Sequence, residues 1–175
     1  MLKLSRFYFA LLLPCVCGTA IAQERATFGD WITGTTTAGN ALFAGTTNDS
    51  GNVLGLYCYP GEGSCVYLLG MRTRCTQGNK YPVLVNSDQG SLHLEIMCNG
   101  RQQNKLYEYV FTNFKTIDDI VMKAYRVGFA MPLENDQFNV IRFSLIGSNE
   151  AVSRLLENAA RRAVPARGGT RDQRL

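Results

Sequence analysis

The chain has 175 residues and a formal net charge of +4. Residues 161–175 hold five Arg and one Asp, which is plus four, and Lys3 with Arg6 add plus two near the start, so residues 23–160 carry minus two. The basic balance sits in the tail, which excludes a broad basic groove of the nucleic-acid-binding kind on the rest of the chain.

The first stretch, "MLKLSRFYFALLLPCVCGTAIAQ", opens on Lys3 and Arg6, continues through an apolar run from Phe7 to Cys17, and ends on Ala20-Ile21-Ala22. That layout predicts a secretory signal peptide over residues 1–22, cleaved after Ala22. The run falls short of the roughly 20 apolar residues that span a bilayer, and no second run follows, so no transmembrane segment is expected. Cys15 and Cys17 raise the question of a lipid anchor, but Pro14 and Val16 stand where such a signal needs small residues.

Residues 23–163 are expected to form a single β-rich domain, long enough to bury a core. From Trp31 to Phe111 the segments "WITGTTT", "ALFAGTT", "VLGLYCY", "CVYLLGM", "YPVLV", "SLHLEIMC" and "KLYEYVF" read as strands parted by Gly, Asn, Asp and Ser turns. In "SLHLEIMC" Leu92, Leu94, Ile96 and Cys98 share one face, and Ser91, His93 and Glu95 the other.

The cysteines left after cleavage are Cys58, Cys65, Cys75 and Cys98, an even number in an exported chain. Their spacings lack the close C-x2-4-C pairs of structural zinc sites and the C-x-x-C of redox centres, so disulfides are predicted and no metal or cofactor. The turn-rich "YPGEGS" would set Cys58 opposite Cys65 across a hairpin, which leaves Cys75 to pair with Cys98. In the chain-entropy model the two loops contribute about 2.5 and 3.4 kcal/mol.

"TIDDIVMKAYRVG" then switches to helical spacing at Ile117, Ile120, Val121 and Ala124, with Thr116 as predicted N-cap and Gly128 as the stop. Asp118 and Asp119 are read as first-turn carboxylates that complement the helix dipole. Two strands, "GFAMPL" and "FNVIRFSLI", follow around a turn holding Glu134 and Asp136. A last helix from Ser148 has Val152, Leu155, Leu156, Ala159 and Ala163 as its buried stripe, with Glu150–Arg154 and Glu157–Arg161 pairs outside. The predicted fold is an antiparallel β-sandwich or open barrel, disulfide-stapled and covered by two helices. Residues 164–175 read as a disordered basic tail with scope for weak contact with anionic surfaces.

No catalytic constellation emerges. Ser91, His93 and Glu95 look like a Ser-His-acid set, yet i and i+2 neighbours on one strand stand about 6–7 Å apart, too far for the relay of hydrogen bonds such a set needs. Phosphate loops, dinucleotide fingerprints and nucleophile elbows are missing from the sequence. The aromatic residues are the better lead: Tyr57 with Tyr59, and Tyr107 with Tyr109, are the candidate partner contacts, since tyrosine joins a flat apolar body to a polar end. The lone Trp31 is expected to anchor its strand in the core.

"FGDW" (Phe28 to Trp31) resembles the opening of mature proteins of the invasion-associated locus B family, and "FSLIGSNEAV" (Phe143 to Val152) is similar to the family's strand–Gly–helix ending. The resemblance implies an exported, cysteine-paired, mostly β protein linked to host-cell invasion. It brings no catalytic residue, and this chain has no cysteine soon after the tryptophan. Two function classes follow: an exported non-enzymatic module binding a protein or envelope glycan, and a periplasmic inhibitor or immunity-type protein acting on a cell-wall enzyme or toxin.

Overall fold

A computed structural model describes residues 25–102, 104–132 and 137–163. The predicted signal peptide, the turn with Glu134 and Asp136, and the tail 164–175 lie outside the described residues. The strands are β1 (Ala26–Phe28), β2 (Trp31–Thr35), β3 (Leu42–Thr47), β4 (Val53–Tyr59), β5 (Ser64–Met71), β6 (Lys80–Ser87), β7 (Gly90–Arg101), β8 (Tyr107–Phe111), β9 (Arg126–Pro132) and β10 (Phe138–Ser144). The helices are α1 (Phe114–Lys123) and α2 (Ser148–Ala163).

All ten strands form one antiparallel sheet in the order β1-β2-β3-β4-β5-β8-β7-β6-β9-β10. Of the two predicted architectures this is the open barrel: one curled sheet with both helices on its inner side. The inner face carries the alternating apolar residues of each strand, such as Leu54 and Leu56 of β4 and Val127, Phe129 and Met131 of β9. Ala151, Val152 and Leu155 of α2 and Ile117, Ile120 and Val121 of α1 complete that core.

Curling brings the last strand back to the first three. The Trp31 indole N–H donates to the Ser144 carbonyl at 3.1 Å, Asn48 Nδ2 donates to the Arg142 carbonyl at 3.1 Å, and the Asp30 amide donates to the Ile146 carbonyl at 2.9 Å. These are single bonds rather than a ladder, so the sheet meets itself without closing.

Several local expectations change. The three-residue β1 precedes the strand of Trp31, too short to carry a periodic signal. Asn113, not Thr116, caps α1, its side-chain oxygen accepting from the Thr116 amide at 3.1 Å. The helix therefore starts earlier, and Asp118 and Asp119 fall past its first turn. It ends at Lys123, capped by extended Ala124, while Gly128 lies inside β9. In α2, Leu156 and Ala163 are exposed instead of buried, because an open groove separates them from the Cys58–Cys65 end of the β4–β5 hairpin. Arg154 pairs with Glu157 at 3.6 Å rather than with Glu150, and Glu157 also holds Arg161 at 3.6 Å.

Candidate functional site

The cysteines form Cys58–Cys65 and Cys75–Cys98, with Cα separations of 4.0 and 6.0 Å. Cys58 and Cys65 face each other in the β4–β5 register, so the first bond crosses a hairpin. The second ties the segment after β5 to β7. All four described cysteines are therefore disulfide-bonded. Among the described residues no three His, Cys, Asp or Glu side chains converge.

The residues with catalytic looks are occupied separately. Ser91 Oγ donates to Asn86 Oδ1 at 3.0 Å, while Glu95 pairs with Lys80 at 2.8 Å. Asp119 holds Lys115 and Lys123 at 2.9 and 3.0 Å, and these cations keep its carboxyl below the usual range. Asp118 accepts the Tyr67 hydroxyl at 2.8 Å and so fastens α1 to β5.

The four candidate tyrosines divide between the two faces of the sheet. Tyr109 is fully buried, its hydroxyl donating to the Thr73 carbonyl at 3.0 Å, and its ring meets Tyr81 edge-on. It is core, and a partner cannot reach it. Alternation puts Tyr107 on the same side, half-buried at the start of β8. Tyr57 and Tyr59 lie on the outer face, both half-buried. Burial and the nearby Glu108 carboxylate push both hydroxyls above their ordinary value.

Around Tyr57 the outer face has a built form. Its ring stacks on Phe43 with centroids 5.9 Å apart and planes at 26°. Both rings lie down over glycines: a Cβ at Gly34 would meet the Phe43 ring at 3.2 Å, and one at Gly55 the Tyr57 ring at 3.2 Å. Gly45 and Gly55 face each other across β3 and β4, between Ile32 and Leu68 in the same cross-strand row. Phe43 covers Gly34 across the strand pair and Tyr57 covers Gly55 two residues away on its own strand, and rings laid over strand glycines restore the packing that those glycines lack. The result is a shallow apolar and aromatic surface bordered by Glu108, which accepts from Asn99 Nδ2 at 2.7 Å. The sequence showed Tyr57 but not this neighbourhood, because Phe43 and Gly34 join it only through strand register.

A second feature was masked by arithmetic. Residues 23–160 sum to a negative charge, yet Arg72, Arg74, Arg101 and Lys105 line one cleft of about 710 Å³. Tyr107 and Leu106 form part of its wall, and no described Asp or Glu lines it. None of the four cations forms an ion pair with a described residue. Net charge cannot register such clustering, and the exclusion of a basic groove fails here.

The buried hydroxyls predict a pH limit. Burial and the Asp118 hydrogen bond raise Tyr67 far above its ordinary value, and burial raises Tyr109 to about 12. A raised pKa means that the folded state holds the proton more tightly than the unfolded one. The stability that Tyr109 contributes is therefore complete below about pH 10 and lost as pH climbs through about 12. Tyrosinate absorbance should show the two rings ionising only together with loss of the fold. Ionisation of all tyrosines in a still-folded protein would contradict it.

No protein-family model matches the sequence, and no curated protein matches it. Among solved structures, the fold is similar to the crystal structure of invasion associated protein B from Bartonella henselae. The TM-score is 0.57 at 15% sequence identity, over 78% of this chain and 99% of that one. At that identity, what this chain has in common with that protein is a fold.

Proposed function

We propose that the protein is an exported, non-enzymatic interaction module that contacts a host or envelope partner, protein or glycan, through the outer sheet face around Phe43 and Tyr57. The observation that carries this reading is the stacked aromatic pair on its glycine floor, with both helices on the opposite face of the sheet. Stacked rings in a shallow apolar setting with a polar rim have the make-up of an interaction hot spot. The signal-like leader, the two disulfides and the likeness to an invasion associated protein support an extracytoplasmic setting. No described helix is long and apolar enough to cross a membrane.

Tyr57→Ala removes a half-buried ring from the outer face without opening the inner core. Protein carrying it should stay folded while losing a partner that the unaltered protein retains from host-surface or envelope extracts and on glycan arrays. A loss of about 2 kcal/mol or more in binding is expected of a hot-spot ring. Identical retention by both proteins would remove this face from consideration.

A further inference from the structure

We propose that the cleft between the β7–β8 connection and the segment after β5 is a second binding site, separate from the Phe43–Tyr57 patch, for a saccharide carrying two or more sulfate or phosphate groups. Three elements supply its cations. Arg101 ends β7, Lys105 stands in the connection to β8, and Arg72 with Arg74 follow β5. Gly51 and Val53, from the start of β4 and the turn before it, close the remaining side. The volume of about 710 Å³ lies within the range of small-ligand sites, roughly 300–1,000 Å³.

The backbone holds a cation here at a cost. Lys105 has φ 68°, the only non-glycine residue with positive φ among the described residues. Side-chain-bearing residues rarely adopt that conformation, and it persists only where neighbours enforce it. The enforcement is visible: the Lys105 amide donates to the Gln102 carbonyl at 3.0 Å, the Gln102 amide to the Leu106 carbonyl at 2.8 Å, and the Leu106 amide to Asn104 Oδ1 at 3.1 Å. A tight, bonded turn thus presents Lys105 to the same cleft as the three arginines.

Charge chemistry selects the ligand class. Four like charges around one cleft, without carboxylate partners among the described residues, repel one another until an anion enters. Guanidinium forks fit tetrahedral oxyanions through paired hydrogen bonds, and lysine adds a point charge. Sulfates or phosphates crowded on a sugar match this density, whereas an acidic peptide spreads one carboxylate per residue. Among the described lining residues the aromatic one is Tyr107, and the Arg101 guanidinium lies 5.9 Å from its ring centroid. That ring is engaged by a cation, which leaves no platform for successive bases of a nucleic acid. Leu106 and Val53 supply the apolar side that the flank of a sugar ring can cover.

The test is calorimetric titration of the mature, disulfide-bonded protein with four probes: a heparin-derived tetrasaccharide, a bisphosphorylated glucosamine disaccharide, a tetraglutamate peptide and inorganic phosphate. Binding of either saccharide, weakening steeply as salt shortens the screening length, is expected; which of the two binds identifies the anion. Arg72→Gln and Arg101→Gln should each weaken it about tenfold, while Arg154→Gln on α2 should leave it unchanged. The cleft arginines are exposed, so both variants should keep the melting temperature, and thermal unfolding verifies that. Saccharide binding that survives the cleft variants, that falls equally with Arg154→Gln, or that is no tighter than binding of the peptide or free phosphate would overturn the proposal. So would the absence of saccharide binding at low salt.

Discussion

Trp31→Ala is expected to destabilise the fold by about 3–5 kcal/mol, the range for truncating a fully buried large aromatic side chain. Trp31 has no exposed surface and belongs to the same core cluster as Ala151, Val152 and Leu155 of α2. Its indole N–H also satisfies the Ser144 carbonyl across the meeting point of the sheet. A domain with 5–15 kcal/mol in total would lose from about a fifth to all of its margin, so denaturant midpoints should drop sharply. Trp31→Phe separates the two contributions. It keeps most of the apolar contact but leaves the Ser144 carbonyl without its donor, so a smaller loss of about 1–3 kcal/mol is expected. Fluorescence provides an independent check, since the buried indole of the native protein should emit at short wavelength and resist iodide. Water-exposed emission from the folded protein would refute the anchoring role.

The second large effect belongs to a glycine. Gly147 has φ 85°, and a Cβ there would stand 2.0 Å from the Phe28 carbonyl oxygen and 2.9 Å from the Gly29 amide nitrogen. All of these obstacles are backbone atoms, so no side chain can rotate away. Gly147→Ala should cost roughly 3–5 kcal/mol, the sum of left-handed strain and an overpacked contact. Gly39→Ala is the control: its φ is 73° with nothing within 4 Å of the added carbon. It should lose only the conformational part, about 1 kcal/mol. Equal losses at both positions would mean that the approach of Phe28 to Gly147 is not a close contact in solution.

Most strands could be read from the sequence because each leaves its own alternation, as Leu92, Leu94, Ile96 and Cys98 do on the inner side of β7. The cysteine hairpin was equally legible, since Pro60, Gly61 and Gly63 mark a turn that sets its flanking residues opposite. Placement of β8 between β5 and β7 was not. Pairing of Tyr109 with Leu69 on one side and Cys98 on the other is decided by which core surfaces fit together. The same limit explains the tyrosines: period-2 spacing says that Tyr57 and Tyr59 share a face, and that Tyr107 and Tyr109 do, but not which side is wet. Asp118 and Asp119 were misread because Asn113, three residues before Thr116, supplies the cap. The cations of the cleft come from separate stretches and cancel against acids elsewhere in any sum along the chain.

The joint between Trp31 and Ser144 also has a meaning in time. Their hydrogen bond spans 113 residues, so a chain made from its N-terminus exposes Trp31 long before its acceptor exists. The β1–β2 hairpin can form early, but two short strands are marginal in water. Contacts of such separation are slow to form, and unpaired strand edges invite aggregation while they wait. Efficient production of this protein should therefore depend on something that shelters the early strands until the last of the sheet is at hand to pair with them. The first turn to be made is among the last to be secured.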